Sequence, residues 1–239
     1  MGLLSKLRVT YHRPVGTLAA SSGKASAPAG RAEPAYAPRG GRPSNGLKDF
    51  LWHLDGIAHG SLLDLGPVWQ STVSFFIERG FKVYTEDLLG AWKEFQRVEE
   101  EPLQALPPGE EPGEISPAAR AQRFLESSLQ YPPETFDAML AWDLLDHLEN
   151  DLATRVVARL AELLKEGGVI LALFHSRKPE GFHRYRIVDP QTIQLVPAPA
   201  PVPLQHTLQN REVLNLFSRF RSSKTLIGRD QLREGLFRK

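Results

Sequence analysis

The chain of 239 residues contains no cysteine, which excludes disulfide bonds, thiolate metal sites and cysteine nucleophiles from its chemistry. No apolar run approaches the roughly 18 residues that a membrane-spanning helix requires, so we expect no membrane span. Residues 1–6 lack a long apolar core and a small-residue cleavage site, so we expect no secretory signal and a cytoplasmic location.

Basic residues are concentrated at the start of the chain. Residues 1–45 carry seven basic side chains and one acid, Glu33, whereas the remainder carries 22 basic and 27 acidic side chains. Residues 14–46 are rich in Ala, Gly, Pro and Ser and show no apolar period, which predicts a disordered basic leader over residues 1–45. The leader is either a solvated segment or a contact with nucleic acid or an anionic surface.

The apolar pattern after the leader predicts alternating strands and helices. This alternation predicts one α/β domain over residues 46–239, with a mostly parallel sheet. The predicted strands lie at 62–65, 82–85, 123–127, 136–142, 169–174, 185–188, 192–196, 224–227 and 235–238. The predicted helices lie at 47–54, 69–79, 92–98, 118–122, 151–165 and 210–220, with Asn45 and Asp151 as the caps of the first and fifth.

Two stretches interrupt this pattern. Residues 99–117 are acidic and proline-rich, so we expect a solvated loop there. Residues 183–204 combine a predicted hairpin around Asp189 and Pro190 with prolines at every second position from 197 to 203, which favour a stiff, extended spacer.

Acidic and small residues follow three of the predicted strands. Residues 64–67 follow the first strand, residues 86–87 the second, and residues 142–148 the strand at 136–142. Ligands of an open parallel sheet bind at the carboxyl ends of its strands, where the strand order reverses. The sequence therefore predicts one binding crevice that is built from these segments.

With this order of motifs, residues 47–239 resemble the class I S-adenosylmethionine-dependent methyltransferases. The resemblance is carried by residues 63–66, 83–88, 124–129, 131–137 and 142–148, and by the segment 165–168 before the next strand. It implies a Rossmann-like class I methyltransferase fold, with a seven-stranded, mostly parallel sheet and helices on both faces. It also implies S-adenosylmethionine as the cofactor and methyl transfer to an acceptor, small or macromolecular, that the sequence does not identify.

The resemblance further implies which residues contact the cofactor. Asp87 takes the place of the acid that binds the ribose hydroxyls, with Glu86 as the second choice, and Ser128 stands beside the adenine. The full set of expected cofactor-binding residues is Asp64, Leu65, Gly66, Pro67, Glu86, Asp87, Ser128, Leu129, Trp142 and Asp143.

Two departures from the family's pattern support an alternative. The first loop has Pro67 and Val68 where the family has further glycines; Pro67 removes a backbone donor, and we expect Val68 and Trp69 to crowd the ligand. Ser128 replaces the Asp that is usual beside the adenine. The alternative is a non-catalytic, methyltransferase-like binding or scaffold protein with weak or lost cofactor binding.

Asp143 and His147 are the candidates for acid–base catalysis, because they lie close together in sequence and histidine titrates near neutral pH. The other interpretation is that they cap the next helix or pack behind the sheet. His175 faces the same crevice and is interpreted as a structural polar residue. His175 and His183 lack a third ligand, so we expect no metal site.

Overall fold

The computed structural model describes residues 41–104, 116–228 and 230–239, with the backbone alone at 101–104. Residues 1–40 of the expected leader and residues 105–115 of the expected acidic loop lie outside the described residues. No helix within the described ranges is both long enough and apolar enough to cross a membrane.

A six-stranded sheet forms the centre of the molecule. Its strands, in spatial order, are β3 (Lys82–Thr85), β2 (Ser61–Asp64), β4 (Phe136–Trp142), β5 (Leu164–His175), β9 (Leu232–Arg238) and β8 (Ser222–Ile227). The first four run parallel, and β9 is antiparallel to both of its neighbours. The expected Rossmann-like, mostly parallel sheet is therefore confirmed, with six strands where seven were expected.

The sequence predicts a strand at 123–127, and this prediction is wrong. That segment belongs to the helix α4, Pro117–Leu125. The Oγ of Ser116 accepts a hydrogen bond from the backbone N–H of Ala119 at 3.3 Å, and a proline at the first helical position suits this start. Ala121 and Phe124, three residues apart, bury one face of the helix.

Helices cover both faces of the sheet. The helices α1 (Asn45–Leu54) and α2 (Gln70–Ile77) supply Phe50 and Phe76 to the core on one face. The core on the other face is formed with α3 (Leu88–Gln104), α4, α5 (Asn150–Leu163) and α6 (Asn210–Leu216). Alternate residues of β4 point into the two cores, as expected of a central strand that is buried on both sides.

A second, antiparallel sheet packs on the α1 and α2 face. Its strands are β1 (Gly41–Pro43), β7 (Thr192–Pro197) and β6 (His183–Asp189) in that order, and β6 with β7 is the predicted hairpin. The backbone N–H of Ile187 donates to the Oγ1 of Thr72 at 2.9 Å and so joins β6 to α2. The hairpin therefore lies over the domain beside the crevice.

The described part of the domain includes residues before 46. Strand β1 pairs with β7, and Arg42 forms ion pairs with Asp230 and Glu234. The cap of α1 is Ser44, whose Oγ accepts from the N–H of Leu47 at 2.9 Å, and so the prediction of Asn45 as the cap is wrong. Five residues that the composition assigned to the leader are thus part of the domain.

Several other boundaries differ from the prediction, among them those of α3 and α5. Helix α3 continues to residue 104, so the first part of the expected loop over 99–117 is helical, and Glu99 forms ion pairs with Arg120 and Arg123 of α4. Helix α5 has Glu149 at its N-cap and Asp151 in its first turn, so Asp151 is not the cap. It ends at Leu163, where β5 begins directly.

Candidate functional site

The crevice lies at the carboxyl ends of the strands, where the chain order reverses. The chain passes from β2 to β3 on one side of β2, and it later returns to β4 on the other side. An open α/β sheet binds its ligands at such a point. The residues Asp64, Asp87, Trp142 and Asp143 stand at or directly after the ends of these three strands and define what is called the crevice below.

Asp64 is a fully buried acid at the end of β2. Its Oδ1 accepts hydrogen bonds from the indole Nε1 of Trp142 at 2.7 Å and from the N–H of Gly66 at 3.0 Å. Its Oδ2 is buried and has no hydrogen-bond partner in the described part of the chain. Burial raises the pKa of Asp64 to about 7, although the two hydrogen bonds act in the opposite direction.

The two acids expected at the ribose already accept hydrogen bonds from the chain. Asp87 caps α3 through its Oδ1, which accepts from the N–H of Gly90 at 3.1 Å, and its Oδ2 forms an ion pair with Arg184 of β6 at 2.8 Å. Glu86 accepts from the N–H of Leu129 at 2.8 Å. A ligand that binds Asp87 must therefore share or displace the guanidinium of Arg184.

The turn at Ser128 and Leu129 lies beside the end of β3, where the N–H of Leu129 donates to Glu86. Leu129 is buried and has a φ of 54°, which is uncommon for a residue other than glycine. Its carbonyl oxygen accepts from the guanidinium of Arg159 on α5, at 3.1 Å from Nη2. Together with the bond to Glu86, this contact holds the turn against the end of the sheet.

In the first loop, Trp142 lies against Gly66 and Val68 is exposed. The Val68 side chain is 55% exposed, and the Trp69 ring lies 5.2 Å from the guanidinium of Arg186. Trp142 is the ring beside the loop: a Cβ added to Gly66 would come within 2.8 Å of its indole. Whether Val68 and Trp69 crowd a ligand stays a prediction, and Gly66 is needed for the close approach of Trp142.

Trp142 connects the crevice to a polar cluster at the ends of β4 and β5. Its ring stacks on Tyr185, with centroids 5.7 Å apart. The Oη of Tyr185 donates to Oδ2 of Asp143 at 3.0 Å, and the same oxygen lies 3.1 Å from Nε2 of His175. The polar cluster named below consists of Asp143, Asp146, His147, His175 and Tyr185.

Asp146 and His147 hold the cluster to the surrounding backbone. Oδ2 of Asp146 accepts from the N–H of His175 at 2.6 Å, and the backbone oxygen of Asp146 accepts from the N–H groups of residues 205 and 206. Nδ1 of His147 lies 3.1 Å from the carbonyl oxygen of Val202, and its ring packs edge-on against Phe182. His147 is thus enclosed by the 183–204 insertion.

The pKa values in the cluster follow from burial and from neighbouring carboxylates. Burial raises the pKa of Asp146 to about 7, and burial with the nearby Asp143 raises the pKa of Tyr185 well above 10. Burial acts to lower the pKa of His175, but the hydrogen bond and charge of Asp143 and the charge of Asp146 outweigh it, so this pKa is raised. Tyr185 therefore stays a hydrogen-bond donor over the physiological range.

The structure brings together most of the residues that the sequence selected. Asp64, Leu65, Gly66 and Trp142 meet at one point, where Leu65 also donates its N–H to Leu140 at 2.9 Å. The sequence missed Tyr185 and Arg184, which reach the crevice from an antiparallel hairpin and have no local signal. No group of three potential metal ligands occurs among the residues described.

Comparisons with known proteins give structural similarities alone. No family model and no curated protein matches the chain. A Burkholderia thailandensis 1,6-didemethyltoxoflavin-N1-methyltransferase, solved with S-adenosylhomocysteine, is 19% identical with a TM-score of 0.42, over 81% of this chain and 76% of that one. An S-adenosylmethionine-dependent methyltransferase from Mesorhizobium loti is 14% identical with a TM-score of 0.46, over 80% of this chain and 96% of that one. A TehB-like methyltransferase from Corynebacterium glutamicum is 13% identical with a TM-score of 0.43, over 81% of this chain and 87% of that one.

Proposed function

We propose that the chain is an S-adenosylmethionine-dependent methyltransferase that binds its cofactor in the crevice. One observation carries this proposal: the acids Asp64 and Asp87 follow two adjacent parallel strands at the point where the strand order reverses. That point is where an open α/β sheet binds a nucleotide-like ligand. Burial raises the pKa of Asp64, and the negative charge of Asp87 acts in the same direction.

The acids in the crevice suit the polar groups of this cofactor. Asp87 is half-buried, and its Oδ2 is bound by an arginine side chain, so this oxygen can accept from the ribose hydroxyls once Arg184 moves. Asp64 has a free, buried acceptor in Oδ2 that suits an ammonium group when the acid is ionised. The loop and cap bonds of Gly66 and Gly90 hold both carboxylates in place.

The cofactor supplies a methyl group that its sulfonium activates, and the protein supplies orientation and a site from which water is excluded. Displacing Arg184 from Asp87 carries a modest cost. The side chains are 23% and 31% exposed, and ion pairs at such exposure stabilise a protein by about 1 kcal/mol or less. The observed ion pair therefore does not oppose ligand binding strongly.

The proposal is tested by calorimetric titration with S-adenosylhomocysteine. Asp87→Asn keeps an oxygen for the N–H of Gly90 but loses the charged acceptor, so we expect binding to weaken by about 10- to 150-fold, the equivalent of about 1.5–3 kcal/mol. Asp49→Asn is the matched control, because Asp49 forms an exposed ion pair with Lys224 at the opposite edge of the sheet. We expect the control to bind like the wild type.

A non-catalytic scaffold is the second candidate, and a specific observation favours it. Trp142, Arg184 and the N–H of Leu129 already occupy acceptors of Asp64, Asp87 and Glu86. Pro67 offers no N–H to a ligand at the first loop. If the wild-type chain gives no saturable heat at millimolar S-adenosylhomocysteine, the scaffold interpretation replaces the enzyme.

We also propose that the basic leader contacts nucleic acid or an anionic surface. Six of its seven basic side chains precede Gly41, and they predict weak binding to nucleic acid or to an anionic surface. Filter binding with single-stranded RNA, at two salt concentrations, compares the full chain with a chain that starts at Gly41. Loss of salt-dependent binding in the shorter chain would support the contact, and equal binding by both would contradict it.

A further inference from the structure

His175 is held by one ring nitrogen, and its other ring nitrogen has no hydrogen-bond partner among the described residues. Its Nε2 lies 3.1 Å from Oδ2 of Asp143, and no described residue makes a hydrogen bond to its Nδ1. The side chain of His175 is 13% exposed, whereas that of Asp143 is 4% exposed. The ring is thus oriented by a buried acid and reaches solvent at the carboxyl end of β5.

We propose that His175 is the general base of methyl transfer, that Asp143 orients it, and that the acceptor is a phenolic hydroxyl or an amine. This inference rests on the proposed function. An acceptor of this class must lose a proton when it is methylated, and a histidine can accept that proton near neutral pH. A thiolate acceptor needs no such base.

The contacts around Asp143 specify the tautomer of His175. A carboxylate only accepts hydrogen bonds, so Nε2 of His175 carries the proton and Nδ1 keeps its lone pair. Tyr185 donates to the same oxygen and fixes its direction. Asp146 accepts from the N–H of His175 and fixes the backbone of the residue itself. A base that is oriented by a third group is the arrangement that proton transfer requires.

The titratable groups around His175 come from three parts of the fold. Asp143 and Asp146 follow β4, Asp230 precedes β9, and Tyr185 lies on β6. His147 shares Asp143, with its Nε2 4.0 Å from the same oxygen. Because Nδ1 of His147 lies against the carbonyl oxygen of Val202, and its Nε2 is buried, His147 cannot reach an acceptor. This geometry favours His175 over the sequence candidate His147.

The proton balance of the step is complete with these groups. When a lone pair of the acceptor takes the methyl group, the sulfur keeps the electron pair of the bond that breaks, and the acceptor's proton passes to Nδ1 of His175. The imidazolium that results is stabilised by the carboxylate of Asp143. The proton leaves to solvent from the exposed edge of the ring.

The first test needs no ligand. The histidine rings of the full chain are titrated by NMR, with His175 assigned by the loss of its signal in His175→Gln. We expect a pKa above 6.5 for His175, and a pKa below 6.5 for His53, which burial and the charge of Arg238 lower. Asp143→Asn should lower the pKa of His175, and Tyr185→Phe should raise it, because Asp143 then loses a competing donor.

Those opposite shifts separate an oriented base from a merely packed ring. An unchanged His175 pKa in both variants would overturn the inference. Tyr185→Phe keeps the ring stack with Trp142, so it retains the fold even if Asp143→Asn does not. Because this test uses the unliganded chain, it stands or falls separately from cofactor binding.

The second test measures methyl transfer from S-adenosylmethionine with a tritiated methyl group to a panel of phenols, primary amines and thiols. We expect His175→Gln to lower kcat for a phenol or amine by about 10²- to 10⁴-fold while the Kd for S-adenosylhomocysteine stays within twofold. His53→Gln is the control and should match the wild type. Transfer to thiols alone, transfer to no phenol or amine, or an unchanged kcat in His175→Gln would each overturn the inference.

Discussion

The indole of Trp142 donates a hydrogen bond of 2.7 Å to the carboxylate of Asp64, and so joins the end of β4 to the end of β2. The same ring lies against Gly66 and stacks on Tyr185. One side chain therefore connects the acid of the first loop to the polar cluster around Asp143. A substitution of Trp142 should therefore alter the contacts of both Asp64 and the polar cluster.

Replacing Trp142 by Phe should destabilise the chain at pH 8. The ring stack with Tyr185 can persist, but ionised Asp64 loses one of its two donors, which costs about 1.5–3 kcal/mol. Urea denaturation of the variant measures this difference. Trp52→Phe is the control, because Trp52 is 73% exposed, and we expect a change of less than about 0.5 kcal/mol. Equal stability of the two variants would show that the hydrogen bond contributes nothing.

The free energy of unfolding should fall as the pH rises from about 4 to about 7. The folded pKa of Asp64 is about 7 against an ordinary value of 3.8, so between these values the folded chain holds a proton that the unfolded chain releases. Asp146 has the same raised pKa and acts in the same direction. Each acid lowers the free energy of unfolding by at most roughly 4 kcal/mol over this range, because one unit of difference in pKa corresponds to about 1.4 kcal/mol.

Denaturation at pH 5 and pH 8 checks this pH dependence. Asp64→Asn keeps an oxygen for Trp142 and Gly66 but has no charge to bury, so the fall between the two pH values should be smaller than in the wild type. Asp49→Asn should leave the fall unchanged. A wild-type chain that is more stable at pH 8 than at pH 5 would contradict the account.

A chain that begins at Gly41 should melt like the full chain, and one that begins at Asn45 should not. The second loses Arg42, which leaves Glu234 buried without its ion pair, and it loses the cap Ser44. These losses amount to about 4 kcal/mol, or roughly 10 °C in Tm for a domain of this size. Arg42→Ala in the full chain should reproduce most of the drop. Equal melting of both shortened chains would contradict a contribution of Arg42 and Ser44 to the stability of the domain.

Replacing Arg184 by Gln should strengthen the binding of S-adenosylhomocysteine. The substitution removes the cation that competes for Oδ2 of Asp87, and we expect a gain of up to about fivefold, the equivalent of about 1 kcal/mol. Asp49→Asn is the control, since it removes an exposed ion pair at the opposite edge of the sheet and should not affect affinity. Weaker binding in Arg184→Gln would mean that Arg184 itself contacts the ligand.

The sequence predicts the strands of the sheet well where local signals are strong. The bounds predicted for β3 and β4 agree with the structure, because each run is closed by glycine, acidic or polar residues. The prediction of a strand at 123–127 is wrong because the short apolar run there suits a strand and a helix equally. The cap Ser116 and the contact of Glu99 with α4 decide for the helix. Ser44 was missed because the flanking composition resembles a leader.

The sequence predicts the positions of the acidic residues of the site, but it does not predict which side chains bind them. The position of Asp64 and Asp87 follows from the ends of predicted strands. Their donors come from segments distant in sequence: Trp142 from β4 and Arg184 from the hairpin. The first contact depends on the pairing of β2 with β4, and the second on the packing of the hairpin on the domain, and no local pattern encodes either. The role of Tyr185 beside Asp143 was missed for the same reason.

The most direct test of the central claim is calorimetric titration of S-adenosylhomocysteine at pH 6 and pH 8. The account predicts one saturable site per chain, with tighter binding at pH 8, because Asp64 must be ionised to accept from an ammonium group and its pKa is about 7. The gain should be absent in Asp64→Asn. The absence of saturable heat at millimolar ligand, or an equal affinity of the wild type at both pH values, would contradict a cofactor site that is built on Asp64.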